Sequence, residues 1–159
     1  MPFPSPLRFR AMAREDLAIL TPWLRAADLQ APAPGACGDW WRRQRTDPYI
    51  VCRVAVDAAD RVLGFLRLDL APDGVAELTL LVAPDLRRGG LGGLLLERAM
   101  RDARDRRVKT VVASVVETNA TARAFFAGAG FVEEPGPLPG YVQMATLAGA
   151  EPRSVEMAQ

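Results

Sequence analysis

The chain has 159 residues and a mass of 17.3 kDa; half of its residues are hydrophobic, a quarter are charged, and it contains 13 Gly and 13 Pro. That is the size and composition of one globular domain with its own core, and it excludes wholesale disorder as well as collagen-like and coiled-coil architectures. The formal charge is +1, from 20 basic and 19 acidic residues, so the balance gives no ground for a nucleic-acid or anionic-membrane partner.

Residues 1–6 read as a Pro-rich tail, without the basic start and apolar run of a signal peptide. No apolar stretch approaches the roughly 18 residues of a membrane span, so a soluble cytoplasmic protein is expected. Leu7 to Ala11 alternates as a short strand. Arg14 to Ala27 places Leu17, Leu20, Trp23 and Leu24 at helical spacing; Pro22 is expected to interrupt this helix, with Thr21 capping a second short one. Residues 31–38 form a Pro/Gly/Ala loop, followed by a short helix over Asp39 to Arg45. Tyr49 to Val56 and Val62 to Leu70 predict a hairpin around the turn Asp57–Asp60, and the turn Pro72-Asp73-Gly74 leads into a third strand, Val75 to Val82. Gly90 to Arg106 is a long amphipathic helix. Lys109 to Val116 is β-branched and apolar, the pattern of a strand buried on both faces. Ala120 to Ala129 predicts a helix stopped near Gly128 and Gly130, Phe131 to Glu133 and Tyr141 to Leu147 predict the last strands, and residues 148–159 a tail. Residues 7–147 are thus expected to form a single α/β domain. In it, helices cover a mixed sheet, and a helical crossover joins the strand before Gly90 to the strand at Lys109.

The chain contains no His. This removes the commonest metal ligand together with the commonest general base, and with them Ser-His-Asp and Cys-His catalysis and most zinc enzymes. Cys37 and Cys52 are too few for a metal cage or a disulfide framework. Cys52 lies in an apolar run and reads as core, while Cys37 sits in a loop with no base beside it. No metal site is expected.

The informative segment is Leu80-Leu-Val-Ala-Pro-Asp-Leu-Arg-Arg-Gly-Gly-Leu-Gly-Gly93, in which a strand runs through a basic, glycine-dense turn into the longest helix. Glycines admit close approach of a ligand, and a helix start offers free N–H groups and a favourable dipole for an anion. The physical reading is a phosphate or pyrophosphate cradle, the bland alternative a glycine-rich turn with no ligand. A Walker A loop is excluded because no Lys follows the glycines, and a dinucleotide fingerprint fails at Leu95, where its third Gly belongs.

Arg87-x-x-Gly90-x-Gly92 instead resembles the acyl-CoA pyrophosphate loop of the GCN5-related N-acetyltransferase (GNAT) superfamily. About 30 residues on, Asn119-Ala-Thr-Ala-Arg-Ala-Phe-Phe-Ala-Gly-Ala-Gly-Phe131 is similar to that family's second signature. There Asn119 caps a helix, Ala122 admits the cofactor arm, Phe125 and Phe126 face the packing side, and Gly130 ends the helix before Phe131 enters the core. The resemblance covers residues 7–147. It implies a mixed, mostly antiparallel α/β sheet flanked by helices, with a splayed central strand pair that receives acetyl-CoA. On matching positions, backbone groups of Leu81 and Val82 hold the pantetheine arm. Arg87, Arg88, Gly89, Gly90, Leu91 and Gly92 hold the pyrophosphate, and Asn119 and Phe126 complete the cofactor site.

The resemblance further implies direct transfer of acetyl to a primary amine of a small molecule, such as an amino sugar or aminoglycoside-like compound, or of a peptide. The Val82 N–H is the expected oxyanion donor and Glu77 the expected base, with Asp69 and Glu117 as secondary candidates; Glu77 also reads as a solvent-facing residue of an alternating strand. Phe126 stands where many relatives carry a Tyr that protonates the leaving thiolate. Either water or solvent protonates the thiolate here or a Tyr from elsewhere substitutes, with Tyr141 as the candidate, or else a packed wall residue. The acceptor region is expected around Trp23, Trp40 and Trp41, with Arg42, Arg43 and Arg45 suited to a carboxylate or phosphate, or forming a solvated helix face; Asp28, Asp39 and Asp47 supply no clear acidic cleft. Many relatives pair through their last strands, which makes a homodimer an open possibility. The other readings are a non-catalytic acyl-CoA-binding module and an O- or longer-chain acyltransferase.

Overall fold

The computed structural model describes residues 7–26, 41–43, 45–86 and 90–148. The expected tails up to residue 6 and from residue 149 lie outside these, as do the loop at 31–38, Asp28, Asp39, Trp40, Cys37, Arg87, Arg88 and Gly89. The observed order is β1 (Arg8–Ala11), a 3-10 turn (Arg14–Asp16), α1 (Leu17–Ala26), helical residues 41–43 and 45–46, β2 (Ile50–Val56), β3 (Val62–Leu70), β4 (Val75–Val82), a second 3-10 turn (Pro84–Leu86), α2 (Leu91–Asp105), β5 (Thr110–Val116), α3 (Ala120–Gly128), β6 (Val132–Pro135) and β7 (Tyr141–Leu147). The strands form a seven-stranded sheet in the order β1-β2-β3-β4-β5-β7-β6. β4 and β5 are parallel, as a helical crossover requires, while β1–β2, β2–β3, β5–β7 and β6–β7 are antiparallel.

Contacts divide the chain into two compact units: one gathers the residues up to Asp69 with Thr79–Ala99, the other Leu70–Leu78 with those from Met100 onward. In the first unit apolar side chains cover both faces of the sheet. Met12, Leu20, Trp23, Cys52, Val54, Phe65, Leu81 and Ala83 form one cluster, with Leu17 of α1 and Trp41 packed against it. Ala55, Leu63, Leu91 and Leu95 form the other, joined by Leu80 and Val82, so the start of α2 is pinned to the end of β4. A bulge makes this possible: Ala55 pairs with Gly64 and Val56 with Val62, which leaves Leu63 as an extra residue in β3.

Pro22 does not break the first helix. α1 runs from Leu17 to Ala26 with Pro22 inside it, and the Thr21 hydroxyl donates to the Leu17 carbonyl at 2.7 Å instead of capping a new helix. Pro22 removes only the donor to the Ala18 carbonyl, and the helix runs on past it. Ahead of the helix, buried Asp16 accepts two hydrogen bonds from Arg10 (2.9 and 3.1 Å) and one from the Ala13 N–H (2.7 Å).

In the second unit β5 is not buried on both faces as expected. Val111, Ala113 and Val115 are buried, whereas Thr110, Val112, Ser114 and Val116 are half-buried. Its neighbour β7 is antiparallel and alternates in the same way, with Val142 and Met144 inside; such a pair needs full cover on one side only. Asn119 caps α3 through its side-chain oxygen, which accepts from the Ala122 N–H at 3.0 Å, and the helix gives way to Gly130 at φ +97°. Phe126 and Phe131 are buried with ring centroids 5.0 Å apart. Phe125 stacks edge-on against Phe126 at 5.1 Å but is only half-buried, less than its expected core role. Arg123 of α3 donates twice to Glu133 (2.8 and 2.7 Å) and once to the Glu117 carbonyl (2.7 Å), tying the helix to β6 and to the end of β5. That pairing holds the Glu133 carboxyl below the usual carboxylate range.

Candidate active site

The site begins where β4 leaves the sheet of the first unit. Ala76 and Leu78 are buried, but the next buried positions are Leu81 and Ala83. A regular strand repeats every two residues, so the three-residue step marks a change of phase in the buried positions along β4. The Ala83 N–H donates to the Leu63 carbonyl at 2.9 Å. The Leu81 carbonyl oxygen lies 3.2 Å from where a side chain on Gly64 would start. Ala83 therefore spends its N–H on β3, and Leu81 lies against Gly64 of that strand. The N–H and C=O of Val82, between them, point away from β3, while its side chain packs with Leu91 and Leu95.

After β4 the chain makes the turn Pro84–Leu86, closed by the Leu86 N–H on the Ala83 carbonyl at 2.9 Å. The carboxylate of Asp85 is held by Arg61 at 2.6 Å, which keeps its carboxyl below the usual range and offsets its negative charge beside the turn. Gly90 then adopts φ +90°, a conformation that side chains rarely enter, and α2 starts at Leu91. The Leu94 N–H bonds to the Gly90 carbonyl at 3.4 Å. The amides of Leu91, Gly92 and Gly93 thus precede the first helical donor, the Leu94 N–H, and have no acceptor one turn back within the helix. The first turn of α2 carries no acidic residue. Leu91 anchors it in the core, and a Cβ on Gly93 would meet nothing within 4 Å. A helix start of this kind, with positive dipole and open approach, receives anions.

Leu81, Val82, Gly90, Leu91 and Gly92 therefore fall in one segment of the first unit, and Gly64 is the residue that sequence reasoning missed. Its Cβ would lie 2.8 Å from Leu95 Cδ1, so only glycine lets β3 approach α2 and β4 this closely. A lone Gly inside an apolar strand was the available signal. Asn119 uses its side chain as the α3 cap, and Phe126 uses its ring in the core.

The expected acid–base groups lie in the second unit. Glu77 is exposed on β4 and in register with Val112; Tyr141 is half-buried and in register with Val116. These partners are four residue steps apart on β5, roughly 13 Å at the rise of an extended chain, so the fold does not bring the two side chains to one atom. The Asp69 carboxylate is taken by Arg67 at 2.7 to 3.1 Å. Glu117 is exposed, and its N–H donates to Gly140 at 2.8 Å. Burial pushes the Cys52 thiol up to about 12, against the opposing influence of Arg67, which leaves it no nucleophilic thiolate. Among the described residues no group of three or more metal-ligating side chains occurs, and no helix is long and apolar enough to cross a membrane.

Comparison with solved structures returns the same fold. The spermidine N-acetyltransferase of Vibrio cholerae in complex with CoA and spermine superposes with a TM-score of 0.75 at 20% identity, covering 91% of this chain and 96% of that one. The ribosomal-protein-S18-alanine N-acetyltransferase of Escherichia coli gives 0.73 at 20% identity, over 92% and 96% of the two chains. The PaiA N-acetyltransferase of Thermoplasma acidophilum in complex with coenzyme A gives 0.72 at 19% identity, over 89% and 99%. No curated protein matches the sequence. Residues 15–131, well over half the chain, match the acetyltransferase (GNAT) family, and the protein belongs to that family of acetyl-CoA-dependent enzymes.

Proposed function

We propose that this enzyme transfers acetyl from acetyl-CoA directly to a primary amine, with no acyl-enzyme. The observation that carries the reading is the helix start at Leu91–Gly93, which follows Gly90 at φ +90°, has no acid in its first turn and is open at Gly93. The residues present fit acetyl-CoA: Gly90 at φ +90° and the open Gly93 leave room for a diphosphate, and no acid in the first turn of α2 repels it. When bound, acetyl-CoA supplies an activated thioester. The amides of Leu91, Gly92 and Gly93 hold the diphosphate, and the guanidinium charges of Arg87 and Arg88 and the small Gly89, read from the sequence, suit the same role. The Val82 carbonyl and N–H hold the pantetheine arm, and the same N–H donates to the oxygen that gains charge during transfer. Leu81 contributes through its place in the sheet.

The amine arrives protonated and must lose a proton. Glu77, exposed and five residues before Val82 on β4, takes that proton through water. Phe126 has no proton to give, and the register sets Tyr141 well apart from Glu77, so water protonates the leaving sulfur. Asn119 and Phe126 act by fixing α3. The absence of a usable thiolate at Cys52 supports direct transfer.

A thiol-release assay with acetyl-CoA over amino acids, peptides, amino sugars and polyamines tests the reading. Amine-dependent release of CoA, with the acetyl group recovered on nitrogen, is expected. Acetyl-CoA binding without release for any amine, or acetyl recovered only on hydroxyl acceptors, would contradict it.

A further inference from the structure

Resting on that reading, we infer that the acceptor amine also carries an anionic group, a carboxylate or phosphate, and that Arg42, Arg43 and Arg45 hold it. These three arginines and Thr46 line an open cavity of about 480 Å³ in the first unit, the unit that carries the end of β4. Among the described residues that line it none is acidic. The preceding residue, Trp41, packs against the apolar cluster that contains Leu81 and Ala83, the residues on either side of Val82. The arginine-bearing turn is therefore fastened to the same core that sets the transfer site.

The side chains are held as well as charged. The Arg45 guanidinium lies 5.0 Å from the centroid of the Trp41 ring, and that of Arg14 lies 6.0 Å from it. The nearest acid in sequence, Asp47, accepts from the Tyr49 N–H at 2.9 Å, and its own N–H donates to the Arg43 carbonyl at 2.7 Å. Three guanidiniums within four residues repel one another and any approaching polycation, whereas a carboxylate or phosphate receives paired N–H donors from the planar forks. This charge pattern sets the acceptor of this enzyme apart from spermidine, named for one of the structures that share its fold.

The experiment is steady-state kinetics with aspartate, O-phosphoethanolamine and spermidine as acceptors. It compares the wild-type protein, an Arg42→Gln/Arg43→Gln double variant and the corresponding double Lys variant. All three substituted and neighbouring side chains are exposed, and a melting curve checks that the variants fold. The expected result is turnover of at least one anionic acceptor in preference to spermidine. Its KM rises about tenfold or more in the Gln variant, equivalent to about 1.4 kcal/mol, and recovers in part with Lys, while the KM for acetyl-CoA is unmoved. The aspartate and O-phosphoethanolamine arms separate carboxylate from phosphate. Preference for spermidine, an unchanged acceptor KM, or a rise confined to the acetyl-CoA KM would each overturn the inference. If no amine at all is acetylated, the transfer reading fails by itself and inorganic phosphate becomes the probe. Saturable shifts of arginine Nε–H resonances in the wild type, lost in the Gln variant, then support the pocket, and their absence overturns it.

Discussion

Replacing Gly64 by Ala probes the spacing on which the site depends. The new Cβ falls 2.8 Å from Leu95 Cδ1, 3.2 Å from Leu95 Cδ2 and 3.2 Å from the Leu81 carbonyl oxygen. The leucine tip can swing aside, but the carbonyl belongs to the main chain of β4 and moves only if the strand end moves. Overpacking of this kind costs about 1–3 kcal/mol, and the smaller unfolded-state entropy of Ala offsets about 0.4–1 kcal/mol of it. A net loss of about 1–2 kcal/mol lowers Tm by roughly 3–8 °C in a chain of this length. The same shift displaces the adjacent Val82 amide, so CoA should bind about three- to tenfold more weakly, a loss of roughly 0.6–1.4 kcal/mol, at temperatures where both proteins are fully folded. Scanning calorimetry and isothermal titration with CoA read the two effects separately. A Tm within a degree of wild type together with unaltered CoA affinity would refute the claim that Gly64 sets the position of the β4 end.

Further outcomes follow from other sites. Gly90→Val places a β-branched residue at φ +90° and a side chain in the anion approach; the Kd for CoA, measured by titration, should rise about tenfold or more. Glu77→Gln should lower kcat by about 10²-fold or more while leaving the Kd for acetyl-CoA as it was, so an unchanged kcat would remove Glu77 as the base. Asp16→Ala strips partners from Arg10 and the Ala13 N–H and should cost about 2–4 kcal/mol in urea unfolding; a loss below about 0.5 kcal/mol would show the buried pair to be dispensable. The Cys52 thiol, pushed up to about 12, should resist alkylation at pH 8 in the native Cys37→Ser protein and react on unfolding. Its linkage has a definite sign: between roughly pH 9 and pH 12 the unfolded chain has lost this proton and the native chain keeps it, so stability falls as pH rises.

Features that depend on neighbours in sequence were legible beforehand. The order of strands and helices follows from switches between a period of two and one of 3.6. Gly90 was readable because a basic glycine turn ahead of a long apolar-faced helix has a local conformational meaning, and Asn119 because a cap bonds within its own first turn. Features set across the fold were not. The helix runs through Pro22, and Thr21 turns its hydroxyl back to Leu17 instead of forward as a cap, a choice that its residue type permits. The phase slip in β4 hides in the doublet Leu80-Leu81, where either leucine can face the core. The one-sided burial of β5 depends on its pairing with β7, more than 20 residues away in sequence. The separation of Glu77 from Tyr141 depends on the register of three strands, which no spacing along the chain encodes. Gly64 owes its role to Leu95 and Leu81, neither of them near it in sequence.

The central claim is that main-chain amides at the end of β4 and the start of α2 receive the acyl donor. Titration of ¹⁵N-labelled protein with CoA, followed by amide chemical shifts, tests it at the atoms concerned. Saturable shifts largest at Val82, Gly90, Leu91 and Gly92 are predicted. Saturation of the folded protein with CoA while those four resonances stay in place would contradict the account.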